Sequence, residues 1–298
     1  MPSYNLTINK PIEHYKSEVP SQVLVTVIVN TYNHENYISK CLDGILNQKT
    51  NFDFEVLLGE DDSDDKTKAI CIDYAKRFPK RIRLILHKNE NKIVIRNKRT
   101  GRFNFLYNLY NANGKYIALC EGDDYWTDQH KLQEQVDFLE ENKDFSLCFH
   151  SVDVLNEVEG INYSYPIPTK DVLNFKDLAH KHYIPTCSVL FPIRYLPIPC
   201  PDFYFKTGML DIPIELMLAD KGKVKYISKS MAVYRKSAGG VTQNKLHIKN
   251  GRNHYIFLYK SLKTVVSKEH YFDLNLLLLK VRLGKIKDLL GLNPLMKK

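Results

Sequence analysis

No uninterrupted apolar run in this sequence approaches the roughly 18 residues that a bilayer-spanning helix needs. The longest, Val23 to Val29 with Thr26 inside it and Leu276 to Leu279, stop far short. The opening residues Met1 to Lys10 lack a basic segment followed by an apolar one, so the sequence predicts no secretory leader and a cytoplasmic protein. No C-x-x-C pair occurs among the six cysteines, which argues against a zinc site, and in a chain of 298 residues their wide spacing argues against a disulfide framework. Most sit in apolar runs, as Cys148 does between Leu147 and Phe149, where cysteine acts as a small buried hydrophobe. Neither G-x-G-x-x-G nor G-K-[ST] occurs, so a dinucleotide fingerprint and a P-loop are both excluded. With 13 Gly and 13 Pro scattered through the chain, collagen-like and low-complexity architectures are excluded too.

What is present is cationic: 43 Lys and Arg against 34 Asp and Glu give a formal net charge of +9, which favours an anionic partner. Residues 1–22, with three prolines among polar residues, read as an irregular lead-in. From Val23 the chain alternates. A β-branched strand to Val29 precedes a helix capped by Asn33 with Tyr37, Ile38, Cys41, Leu42, Ile45 and Leu46 at the helical period. Strand Phe54 to Leu58, a helix through Ile70, Tyr74 and Phe78, strand Ile82 to Leu86, a basic loop, helix Phe103 to Tyr110 and strand Tyr116 to Cys120 follow. This β-α-β-α order predicts an α/β fold with a doubly wound, mostly parallel sheet flanked by helices.

Ligands of such sheets bind beyond the carboxyl ends of the strands, so the informative loops are those just after them. They are Asn30-Thr31-Tyr32-Asn33, Glu60-Asp61-Asp62-Ser63-Asp64-Asp65 and Glu121-Gly122-Asp123-Asp124-Tyr125-Trp126. Two of the three are acidic, and carboxylates repel phosphates unless a divalent cation stands between them. Glu121 to Asp124 therefore reads either as a solvated turn before a helix starting near Asp128, or as a strand tip holding Mg²⁺ or Mn²⁺ for a nucleotide diphosphate.

Taken in order, Val25-Thr26-Val27-Ile28-Val29-Asn30-Thr31-Tyr32-Asn33-His34, Phe54-Glu55-Val56-Leu57-Leu58-Gly59-Glu60-Asp61-Asp62-Ser63 and Gly114 to Trp126 resemble glycosyltransferase family two, of the bacterial surface-polysaccharide type. The resemblance runs from about Val23 to Gly240 and implies the GT-A fold. It implies a nucleotide-sugar-binding half at 23–140, an acceptor-side half at 141–245 and a helical basic tail at 246–298. It implies that Tyr32 stacks near the nucleotide base and that an acid of the second loop, Asp61 rather than Glu60 or Asp62, reads the base edge. Thr31 and Gly122 join that donor-binding set. Glu121 and Asp123 would contact ribose, and Asp123 and Asp124 the metal. Glu121 stands where Asp is usual. In the basic run Lys92 to Arg102, Arg102 is the candidate cation for the diphosphate.

On the acceptor side, Thr186 and Ser188 read either as sugar-binding or as part of a plain strand. Asp211 sits where a helix N-cap belongs, with Pro213 in the first turn, and the resemblance makes it the general base rather than only a cap. Val233-Tyr234-Arg235-Lys236-Ser237 resembles the family's closing motif with Ser237 in place of a histidine, which His247 is placed to replace. Leucine clusters and basic residues from Tyr271 to Lys298 read as an amphipathic helix, for an anionic membrane surface or for packing inside the protein or an oligomer. The sequence thus predicts an inverting, metal-dependent transfer from a UDP-sugar to a hydroxyl of a glycan or lipid-linked glycan, on the cytoplasmic face of the inner membrane. The alternatives are a nucleotidyltransferase acting on a sugar phosphate, which would release pyrophosphate, and a basic nucleic-acid-binding module, which the acidic loops disfavour.

Overall fold

The computed structural model describes residues 6–237 and 251–289, of which 251, 252 and 285–289 are described by backbone alone. His247, Gly239, Gly240 and the end of the tail from Leu290 lie outside these residues. No described helix is long and apolar enough to cross a membrane.

The β-branched run becomes strand β2 (Val25–Thr31), which follows an edge strand β1 (Glu13–His14) contributed by the lead-in. Strand β1 pairs antiparallel with β4 (Ile82–Leu86), so residues 1–22 are not wholly irregular. Strand β2 lies between β3 (Phe54–Glu60) and β7 (Tyr116–Glu121), parallel to both, with Val29 opposite Leu58 and Cys120. Because successive side chains of a strand face opposite ways, Val25, Val27 and Val29 pack with α1 (Ile38–Leu46), α2 (Thr67–Arg77) and α4 (Lys131–Glu141). Ile28 faces the other layer, with α3 (Arg102–Tyr110), α5 (Phe175–His180), α6 (Asp211–Ala219), α7 (Gly251–Leu262) and α8 (Tyr271–Leu289). These strand side chains are fully buried, each worth about 1.5–3 kcal/mol of transfer free energy.

The second half of the chain extends the sheet. Strand β12 (Leu190–Pro192) runs antiparallel between β7 and β9 (Phe145–Asn156), and β9 pairs in parallel with the long β13 (Lys223–Lys236). Short strands β10 (Ile161–Ser164) and β11 (Val172–Leu173) border β9 and β13. Strand β8 (Tyr125–Trp126), directly after the third acidic loop, hooks back onto β13, with Trp126 opposite Ala232 and Tyr125 opposite Val233. Among the described residues the result is one mixed, mostly parallel sheet in the order β1-β4-β3-β2-β7-β12-β9-β13-β11.

Three local readings change. Asn33 does not cap α1: its φ is +54°, its side-chain oxygen accepts from the Asp64 N–H at 2.9 Å, and α1 begins after Tyr37 without a side-chain cap. The basic run is a hairpin, β5 (Ile93–Ile95) and β6 (Lys98–Thr100), turned by Arg96 and Asn97 in the left-handed region. Asp211 is the first helical residue of α6, after Leu210, and makes no capping hydrogen bond.

Candidate active site

The parallel strands end level: Thr31 pairs with Glu60, and Asn30 with Glu121. Their loops therefore share one edge of the sheet, and hydrogen bonds between loops shape it. The Asp61 N–H donates to the Thr31 carbonyl at 3.0 Å. Each acid of the second loop has a distinct task. Glu60 Oε1 accepts from the Ser63 N–H at 2.7 Å, and Asp62, with φ +60°, accepts from both the backbone and side-chain nitrogens of Asn89. Asp61 is buried and takes neither role: its Oδ2 lies 3.5 Å from Lys92 Nζ, and its buried Oδ1 has no partner. Burial pushes its carboxyl up to about 7, against the opposing pull of Lys92. The same ammonium lies 3.8 Å from the centre of the exposed Tyr32 ring, a cation–π contact that orients both groups. Tyr32, Asp61 and Lys92 thus form one recess with an aromatic wall, a carboxylate acceptor and an ammonium donor.

The third loop is built for close approach. A Cβ on Gly122 would lie 2.6 Å from Thr31 Oγ1 and 2.7 Å from His34 Nδ1, so this position admits glycine alone without displacement. The Gly122 N–H donates to the Asn30 carbonyl, and Thr31 Oγ1 bonds His34 Nδ1 at 3.2 Å. Asp123 presents its carboxylate 4.0 Å from His34 Nε2, while its carbonyl accepts from Arg235 Nε at 2.9 Å. Asp124 is buried: Oδ1 accepts from the Arg235 N–H at 2.8 Å and Oδ2 has no partner. Burial, then Asp123, hold its carboxyl well above the usual range. Strand β13 therefore pins this loop, and Arg235 also stacks over Tyr37 and Tyr125.

Glu121 joins the two halves of the cleft. Its carboxyl is pushed up to about 7, by burial first, then by Asp123, and also by Asp211 across the cleft, while an Asn30 hydrogen bond opposes the rise. Asp211 is the outer carboxylate of α6, its side chain 37% exposed. Glu215, one turn on, is 7% exposed and accepts from His182 Nε2 at 3.3 Å. Arg102 is not the open cation that the basic run promised. It is buried, its guanidinium donates to the Tyr204 carbonyl, and burial draws it down to about 10 despite the charge of Asp211. Ser188 is unavailable to a sugar, since it is buried and its hydroxyl donates to the Pro185 carbonyl at 2.7 Å.

A divalent cation fits this loop in one form. Among the described residues no group of three or more His, Cys, Asp or Glu is gathered as a cage. Mg²⁺-type sites, however, use one or two carboxylates and complete their shell with substrate oxygens and water. Asp123 offers a cleft-facing carboxylate, and the partnerless Oδ2 of Asp124 offers a second acceptor on the same loop.

The structure brings Thr31, Tyr32, Asp61, Glu121, Gly122, Asp123 and Asp211 to one edge, with Asp124 behind them. Sequence reasoning missed Lys92, His34 and His182. Lys92 stood inside the basic run, and a hairpin reading of that run would have singled it out, because Arg96, Lys98 and Arg99 are exposed on the hairpin while the Lys92 side chain is enclosed beside Asp61.

A mixed, mostly parallel sheet flanked by helices, with acidic loops at its strand tips, is an α/β fold of the GT-A type. The sequence profile of glycosyl transferase family 2 matches residues 26–238, and the chain belongs to that family. It is 33% identical over 227 residues to an uncharacterized protein of Mycobacterium tuberculosis, covering 73% of this chain and 60% of that protein's length. It is 27% identical over 226 residues to TuaG of Bacillus subtilis, named as a glycosyltransferase of teichuronic acid biosynthesis, covering 74% of this chain and 82% of TuaG. The fold matches that of S. aureus TarS in complex with UDP-GlcNAc, with TM-score 0.63 and 15% identity over 87% of this chain and 71% of that one. It also matches the mannosyltransferase PcManGT from Pyrobaculum calidifontis in complex with GDP-Man and Mn²⁺, with TM-score 0.54 and 15% identity over 90% and 72% of the two chains.

Proposed function

We propose that the protein is an inverting glycosyltransferase that moves a sugar from a UDP-linked donor to a hydroxyl of a bacterial surface glycan. One observation carries this reading. The acids at the tip of β7 and the carboxylate at the start of α6 lie close enough for the charges of Asp123 and Asp211 both to add to the burial that pushes the Glu121 carboxyl up. The UDP-GlcNAc bound by TarS and the teichuronic acid in the name of TuaG support the choice of donor and of acceptor class.

In this reading Tyr32 stacks on the base, and Asp61 and Lys92 match the donor and acceptor atoms of a uracil edge. Glu121 accepts from ribose, with Thr31 and Gly122 shaping the floor beneath it. Asp123 and Asp124 hold a divalent ion, which when bound neutralises the leaving diphosphate. Arg102 adds a fixed positive charge near Asp211. Asp211 takes the proton of the acceptor hydroxyl as its oxygen bonds the anomeric carbon and the bond from that carbon to the phosphate oxygen breaks. A single displacement with one base inverts the anomeric centre. Calorimetric titration tests the donor side: Asp61→Ala should weaken UDP by about ten- to a hundredfold, the scale of a lost hydrogen bond to a charged group. Equal affinity for UDP in both proteins would remove Asp61 from the base site.

We also propose that α8 rests on an anionic lipid surface on the cytoplasmic side. Leu274, Leu277 and Leu278 are buried against the body of the protein, so this half of the leucine pattern is internal packing. Phe272, Leu276, Leu279 and Leu283 recur at i, i+4, i+7 and i+11, and so share the opposite face. Phe272, Leu279 and Leu283 are 75%, 52% and 50% exposed, and exposed Lys280 and Arg282 flank this stripe on either side. An apolar stripe between cations matches acyl chains beneath anionic headgroups. The protein should sediment with phosphatidylglycerol vesicles but not with phosphatidylcholine alone, and the triple change Phe272→Ser, Leu279→Ser, Leu283→Ser should release it. A wild-type protein left in the supernatant overturns this reading. So does a concentration-dependent dimer that the triple change dissolves, because a second copy would then own the stripe.

A further inference from the structure

We propose that His182 is a positioning residue for Asp211, its imidazole anchored by Glu215 and Tyr165 and placed as the cation that steadies the Asp211 carboxylate at the cleft. The inference rests on the assignment of Asp211 as the base and deepens it. Helical spacing puts Asp211 and Glu215 four residues apart on one face of α6, where like charges destabilise each other. His182, from the segment after α5, resolves that conflict. Its Nε2 lies 3.3 Å from Glu215 Oε1 and 3.9 Å from Asp211 Oδ2, and its Nδ1 lies 3.5 Å from the Tyr165 hydroxyl.

The two carboxylates divide the work by burial. Glu215 is enclosed and bonded, so it fixes the ring; Asp211 is the more exposed one, with Oδ2 toward His182 and a buried Oδ1 that has no partner. Among the described residues, Tyr165 also stands against the His182 ring, with Tyr234 edge-on to Tyr165, and Asp211 acts on Arg102 of α3, Glu121 of β7 and Tyr255 of α7. Burial works against a charged imidazole, but Glu215 and Asp211 together outweigh it and push His182 up to about 9. The ring is therefore cationic at neutral pH. A cation beside a carboxylate favours its ionised form, and a base must be ionised before it can accept a proton.

Linkage makes the inference measurable without an acceptor, because what Asp211 does to His182, His182 does to Asp211 in equal measure. The His182 ring signal of ¹³C-histidine-labelled protein, assigned by its loss in His182→Gln, should titrate well above the ordinary histidine range. In Asp211→Asn it should titrate lower by about half a unit or more, the effect of removing one nearby opposite charge. An unchanged titration in Asp211→Asn overturns the inference, and this test does not depend on the folding of a His182 variant. In turnover, His182→Gln should bind UDP as the wild type does, yet slow the release of UDP from UDP-N-acetylglucosamine by about tenfold or more, the scale of a misplaced catalytic group. If Asp211→Asn is inactive while His182→Gln keeps the wild-type rate, His182 is only a packing residue. If Asp211→Asn is fully active, the base assignment itself has failed.

Discussion

Asp211→Asn is expected to lower sugar transfer by about 10²- to 10⁴-fold, the usual scale for removing a general base, with the fold and UDP binding intact. The structure makes this a clean change. Asp211 occupies the first helical position of α6 and makes no capping hydrogen bond, so an amide costs the helix no cap. The side chain is 37% exposed, while its Oδ1 is buried without a partner in the protein. Glu215 is the nearest rival, but it is enclosed and already bonded to His182. Glu215→Gln should therefore slow transfer less than Asp211→Asn, through a loosened His182 ring. Steady-state transfer and UDP calorimetry on both variants decide the matter. A dead Glu215→Gln beside an active Asp211→Asn would show the base to be misassigned.

Asp123→Ala should abolish the dependence of UDP affinity on divalent ions. Glu121, Asp123 and Asp124 stand together at the tip of β7, and among the described residues no group of three or more His, Cys, Asp or Glu is gathered as a cage. An ion there must lean on Asp123 and on the nucleotide together. Wild-type protein should lose most of its UDP affinity in EDTA and recover it with Mn²⁺, whereas Asp123→Ala should bind UDP weakly under both conditions. Undiminished wild-type affinity in EDTA would overturn the metal assignment, an outcome that the serine at position 237 makes worth measuring. Asp124→Asn is a poorer probe, since that carboxylate also accepts the Arg235 N–H and holds the loop itself.

The donor half was legible because its signals are local. The β2 strand announces itself by β-branched residues, and the three loops follow their strands directly, so Tyr32, Asp61 and Asp123 could be placed by order along the chain. The second half was less legible, because its contacts span distant segments. His182 lies in no motif and gains its meaning only when α6 folds beside it. Arg102 was misread because charge near a helix start says nothing of the Tyr204 carbonyl 102 residues on. Asn33 and Asp211 both looked like caps, but one took a left-handed turn and the other moved one residue into its helix. The leucines of α8 divide between two faces, which composition alone could not separate.

The tie between Asp124 and the Arg235 N–H closes a loop of 111 residues. During synthesis β2, β3 and β4 can pair soon after they emerge, since each parallel neighbour is close in sequence. The acidic tip cannot settle so early: until β13 has been made, Asp124 has no N–H to accept from and β8 has no strand to pair with. The acidic loop after β7 is therefore among the last parts of the domain to take its final form. An unfinished chain carries the acids without the scaffold that aims them, and any binding that needs the settled loop reports that the domain is complete.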